Sequence, residues 1–103
     1  MIEVRGFFEE KRIYINSKEI DPKVSQKAMN HSPDGFNWGY GGSGAAQTSI
    51  GILVHIMGET FALKNYQKFK EEIIQVLPQK NFVIHLPRPM FGEWDWNKKR
   101  PHF

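Results

Sequence analysis

His31, Ser32 and Asp34 lie in one short run, and a histidine, a serine and an aspartate are the residue types of nucleophilic catalysis. Catalysis needs them adjacent in space, which adjacency in sequence does not establish. Ser32-Pro33-Asp34-Gly35 also places Pro and Gly at the second and fourth positions of a β-turn, the simpler reading. Just downstream, Gly39-Tyr40-Gly41-Gly42-Ser43-Gly44 spells G-x-G-x-x-G, a pattern in which backbone closes on a pyrophosphate at a helix N-terminus. The dinucleotide fold that uses it needs a buried strand before the loop, and Asn30-His31-Ser32-Pro33-Asp34 stands there instead. Ala45 and Ala46 occupy positions where a P-loop needs Lys and Ser or Thr.

The underlying mechanism outlives both motifs. The first turn of a helix has unpaired N–H groups and a partial positive charge, which favour an anion. Gly41, Gly42 and Gly44 would admit a small anionic or nucleotide-like ligand, Trp38 and Tyr40 would stack on a flat group, and His31, Ser43 and Gln47 would supply polar contacts. The candidate ligand-binding set is therefore His31, Trp38, Tyr40, Gly41, Gly42, Ser43, Gly44 and Gln47. The competing account is structural. Gly44 caps the helix, Gln47 folds back as in a capping box, the glycines supply positive φ, and the aromatics anchor the loop.

Other chemistry is sparse. His31, His55, His85 and His102 show neither paired spacing nor clustered carboxylates, and there is no cysteine, so no metal or cofactor is expected. Residues 1–79 balance nine basic against nine acidic side chains, and the net charge of +3 comes from Lys80, Arg88, Lys98, Lys99 and Arg100 against Glu93 and Asp95. Nucleic-acid binding through this aromatic, basic tail at Lys98, Lys99 and Arg100 is a third reading.

The elements that must position these residues follow from periodicity. Glu3 to Phe8 and Lys11 to Ile15 alternate apolar and polar residues around Glu9-Glu10, which predicts a β-hairpin. Asn16-Ser17-Lys18 and Asp21-Pro22 punctuate the chain, and no period persists from Lys23 to Gly44, which reads as one long loop. Ala45 to Met57 and about Thr60 to Leu77 carry helical spacing, the first apolar around most of its surface and the second amphipathic. Phe82 to Leu86 is dense in strand formers. The expected fold is α+β, a small antiparallel sheet of hairpin plus C-terminal strand on two helices, in the order β-β-loop-α-α-β. With 103 residues, 40% hydrophobic and 24% charged, a single domain over 1–103 is expected, with 88–103 as a basic aromatic tail that either adds an edge strand at Glu93 to Trp96 or is partly disordered. The start lacks the pattern of a secretion signal, and the longest apolar stretch, Ile50 to Met57, is too short to span a bilayer. The expectation is a soluble cytoplasmic protein with no membrane partner.

The run His31-Ser32-Pro33-Asp34-Gly35-Phe36-Asn37-Trp38-Gly39-Tyr40-Gly41-Gly42-Ser43-Gly44-Ala45-Ala46-Gln47 resembles the signature H-S-P-x-G-F-x-W-G-Y-x-G-S-G-P-A-Q. That signature marks a family of small uncharacterised proteins from bacteria, plasmids and phages, and the element order fits it over most of the chain except the tail. Ala45 stands where the family usually has Pro, a residue suited to the first helical position, which supports Gly44 as the cap. The resemblance implies a shared fold and site but no activity. For a phage or mobile-element protein it suggests interference with a host system. The function is unknown from sequence. The best reading is a binding module for an anionic or nucleotide-like ligand, or a protein partner, at the glycine-rich loop. The alternative is a hydrolase or transferase on a phosphorylated compound with His31 or Asp34 as proton carrier.

Overall fold

The computed structural model describes residues 1–89 and 94–96. Among the described residues, seven elements follow in chain order: β1 (Ile2–Phe7), β2 (Arg12–Ile15), β3 (Lys18–Glu19), α1 (Pro22–Ala28), α2 (Ser43–Met57), α3 (Glu59–Phe69) and β4 (Phe82–Leu86), with a π-helical turn over Lys70–Ile74 extending α3. The strands form one antiparallel sheet in the order β3-β2-β1-β4. The N-terminal hairpin and Phe82–Leu86 share a sheet as the alternation predicts. The expected layout of three strands and two helices in a simple β-β-loop-α-α-β order is wrong: there is a fourth strand and a third helix.

Both missed elements lack hydrophobic periodicity. Strand β3 is two charged residues joined to β2 by a turn in which Asn16 and Ser17 adopt φ of 50° and 70°, as a two-residue hairpin turn requires. Asp21-Pro22, read as a loop signal, is instead a helix start: the Asp21 carboxylate accepts from the Lys23 N–H at 2.9 Å, and Pro22 takes the first position. Helix α1 exposes Val24 and buries Ser25, so it is held by hydrogen bonds rather than by an apolar stripe. The stretch from Lys23 to Gly44 is therefore not one loop.

Sheet residues Ile2, Val4, Ile13, Phe82, Ile84 and Leu86 point to one face and are buried with Ile50, Ile52 and Leu53 of α2 and Ala62, Tyr66 and Phe69 of α3. The other face carries Glu3, Arg5, Phe7, Arg12, Tyr14, Val83 and His85. There the Phe7 and Tyr14 rings meet edge to face at 5.5 Å, and Arg5 pairs with Glu3 and Arg12 with Glu19. Helices α2 and α3 join at Gly58, whose φ of 89° lets the chain reverse. The π turn closes with the Gln75 N–H on the Lys70 carbonyl at 2.9 Å. Among the described residues no helix is long and apolar enough to cross a membrane.

Trp94 and Trp96 pack against Phe61 and Phe69 of α3. Their indole N–H groups donate to the Pro87 carbonyl at 2.6 Å and to Glu72 at 2.8 Å. The edge strand expected at Glu93 to Trp96 falls partly outside the described residues, and Lys98, Lys99 and Arg100 fall wholly outside them.

Gly51 lies mid-helix, where alanine is ordinarily better by about 1 kcal/mol. Here the Phe36 ring crosses α2 so closely that a Cβ on Gly51 would sit 2.7 Å from Phe36 Cε1. Gly51→Ala is therefore expected to destabilise the fold, by about 1–3 kcal/mol for overpacking, read as a lowered urea midpoint with an unchanged m-value.

Candidate functional site

Helix α2 opens with three consecutive buried polar residues after Ala46, namely Gln47, Thr48 and Ser49, and each has a defined task. The Gln47 carboxamide oxygen accepts from the His31 N–H at 2.7 Å and the Ser32 N–H at 2.9 Å. Its nitrogen donates to Ser25 Oγ at 2.9 Å and to the Met29 carbonyl at 3.1 Å. One side chain thus ties α1 and the segment after it to α2. The Thr48 hydroxyl accepts from the Asn37 N–H at 2.9 Å and lies 2.6 Å from the Asn37 carbonyl and 2.9 Å from that of Gly44. Ser49 donates to the Tyr66 carbonyl at 2.6 Å, joining α2 to α3.

Helix α2 starts earlier than the spacing suggests. Its N-cap is Gly42, which offers no side-chain cap, and Gly44 lies inside the first turn. The capping box expected of Gly44 and Gln47 is absent, because Gln47 turns away to residues 25–32. Ser32 to Gly35 is a turn, closed by the Gly35 N–H on the Ser32 carbonyl at 3.2 Å.

Trp38 is fully buried. Its ring meets Phe8 and Phe82 edge to face at 5.6 and 5.1 Å, and its indole N–H donates to the Lys80 carbonyl at 3.1 Å. Gly39, at φ 82°, donates its N–H to the Ile74 carbonyl at 3.1 Å, and a Cβ there would lie 2.9 Å from the Leu77 carbonyl. The π turn thus presents the carbonyl to which the glycine segment is pinned. Beyond Gly39 the chain turns outward. Tyr40 is 40% exposed, and its ring lies against the helix start, so that a Cβ on Gly42 would fall 2.1 Å from its Cε2 and one on Gly44 3.0 Å from its hydroxyl. Glycine at 42 is explained by this ring, and glycine at 44 chiefly by Asn37, whose Cβ would lie 2.6 Å from a Cβ there. Gly41 and Ser43 are exposed, with Gln75 beside Gly41.

His31 is exposed and points elsewhere. Its Nε2 lies 3.0 Å from the Tyr66 hydroxyl, which also accepts from Gln67 at 3.3 Å. Among the described residues no hydrogen bond or ring contact joins His31 to residues 39–44. The eight sequence candidates thus divide three ways: Trp38, Gly44 and Gln47 lie inside, Tyr40, Gly41, Gly42 and Ser43 line the outer rim, and His31 sits on Tyr66. No three His, Asp or Glu side chains converge as a metal-holding group among the described residues.

Sequence reasoning missed the receiving side: Ser25, Asn37, Thr48, Ser49, Gln75, Gln79 and Lys80. The readable signal was three polar residues in succession within an apolar helix. An open cleft of about 510 Å³ lies between the β1–β2 turn and the approach to β4, lined by Phe8, Glu9, Glu10, Gln79, Lys80 and Asn81. Trp38 and Gly39 support it from beneath, since the Gln79 amide donates to the Gly39 carbonyl at 3.2 Å. Its two glutamates disfavour an anion there.

Removing the Gln47 amide would strand two N–H donors and a carbonyl, and would leave the Ser25 hydroxyl only its bond to the Pro22 carbonyl. Gln47→Ala is expected to cost about 3 kcal/mol or more, measured by chemical denaturation, with accelerated hydrogen exchange at the His31 and Ser32 amides. Trp38→Ala is expected to cost about 3–5 kcal/mol as a cavity at a ring packed on both sides.

Comparison with known proteins agrees with the signature in the sequence. No curated protein and no solved structure matches the chain significantly, whereas one family model matches residues 5–94, from within β1 through β4 to Trp94. That span takes in every buried hydrogen bond from α1 to the approach to β4, and on it the chain belongs to DUF6166, a family of unknown function.

Proposed function

We propose that the protein is a small binding module whose contact surface is the outer rim of the glycine-rich loop: Tyr40, Gly41 and Ser43, with Gln75 beside them. One observation carries this reading. Tyr40 is 40% exposed although the residues on either side of it are held to the core by Trp38, Gly39, Gln47 and Thr48. A rigid loop that displays an aromatic face loses little entropy on binding. The groups suit a flat anionic ligand of nucleotide type, with a base on the Tyr40 ring and a phosphate at the Ser43 hydroxyl and the uncapped first-turn amides. The enzyme reading has less support, since His31 is engaged with Tyr66 and Asp34 is an exposed turn residue.

The test is an amide-detected NMR titration with adenosine monophosphate and, separately, with inorganic phosphate. Both probes are expected to shift the amides of Gly41 to Ala45. Tyr40→Ala is expected to weaken the nucleotide by roughly tenfold, in line with about 1–3 kcal/mol for a stacked base, while leaving phosphate affinity unchanged. If neither probe moves these amides, the loop is a folding device and the ligand reading falls.

A further inference from the structure

The two edges of the sheet are built differently. Strand β3 is only two residues long and both are charged, Lys18 and Glu19, which is how natural sheets discourage pairing with another chain. Strand β4 closes the other side with Phe82-Val83-Ile84-His85-Leu86. It carries no lysine, no proline and no glycine, and Val83 is an exposed large apolar residue.

The backbone groups that this edge presents follow from the register. The Asn16 N–H donates to the Glu3 carbonyl at 2.9 Å, and the Glu3 N–H donates to the Asn16 side chain at 2.9 Å, so both polar groups of Glu3 face the β2 side. Alternation then turns those of Ile2, Val4 and Gly6 toward β4. Their partners there are Leu86, Ile84 and Phe82. The N–H and C=O groups of Val83 and His85 therefore point off the sheet, and no backbone partner meets them among the described residues.

We propose that this edge is a homodimer interface, in which β4 of a second copy adds antiparallel about a two-fold axis at Ile84. That register pairs Val83 with His85 of the second copy through both hydrogen bonds, and the reverse. It leaves Ile84 facing its own counterpart as a non-hydrogen-bonded pair, the closer kind of cross-strand contact. Phe82, Ile84 and Leu86 are already buried within each copy, so the contact is carried by the backbone bonds and by Val83 and His85 on the outer face. A second copy fits better than a foreign strand because the outer-face charges complement one another about an axis at Ile84. On the outer face Arg5 lies opposite Val83, and Glu3 opposite His85. Each row across the joined sheets therefore runs from Arg5 of one copy to Glu3 of the other, and no like charges face each other. A closed isologous contact is the commonest form of assembly.

The test measures mass and amide protection together. Native mass spectrometry and sedimentation of the full chain are expected to give a concentration-dependent species of twice the 12.0 kDa chain mass. Val83→Pro removes only an outward N–H, a place where an edge strand tolerates proline. It is expected to abolish that species while circular dichroism and the melting temperature at dilution stay near wild type. Hydrogen exchange on the wild-type chain keeps the proposal testable should the variant unfold: the Val83 and His85 amides are expected to exchange fast in dilute samples and slowly in concentrated ones. A dimer that survives Val83→Pro would overturn the proposal by placing the interface elsewhere. A monomer at every concentration would overturn it too, whether these amides exchange fast or are protected by another part of the same chain.

Discussion

A primary amide offers two acceptor sites and two donors, and a buried one is stabilising only when they are filled. Gln47 fills all of them, with the His31 and Ser32 amides on one side and Ser25 and Met29 on the other. Much of the domain's first half depends on that arrangement. Helix α1 is seven residues long with one buried side chain, Ser25. Too short to be stable alone, it takes its position from an amide on another helix. The turn from His31 to Gly35 begins at the same point, so the route of the signature loop is set before the chain reaches its glycines.

The loop's second attachment is apolar. Trp38 enters the core between Phe8 of the β1–β2 turn and Phe82 of β4 and reaches the Lys80 carbonyl with its indole N–H, so one side chain joins the loop to β1 and β4 at one end of the sheet and to the segment leaving α3. The π turn at Lys70–Ile74 completes this junction. A helical turn that closes one residue late shifts the carbonyls that follow, and Ile74 receives Gly39 as a result. Glycine is needed at 39 for its positive φ and at 42 for the Tyr40 ring. A pattern that looks like a phosphate cradle therefore has an internal explanation at these positions, and what it leaves for other molecules is the rim it holds up.

The sequence by itself determined the elements whose signal is hydrophobic burial. The alternation at Val4 and Ile13, the helical spacing at Ile50, Leu53 and Val54, and the strand formers at Phe82 to Leu86 mark which faces must leave water, and each lies in the element expected of it. The importance of residues 31 to 47 was legible as well, because glycines and aromatics crowded into a stretch without period need a special reason to be there. Tertiary structure alone decided where the polar groups went. Helix α1 and strand β3 have no apolar stripe to announce them, and Asp21-Pro22 serves a turn or a helix start equally well until Ser25 finds Gln47. The capping box failed for the same reason: a glutamine near a helix start bonds whichever backbone groups the fold brings within about 3 Å, and here these lie 15, 16 and 18 residues back along the chain. Hydrophobic burial is encoded locally, by spacing along an element, whereas a buried hydrogen bond depends on two distant segments arriving together, and no local pattern specifies that meeting.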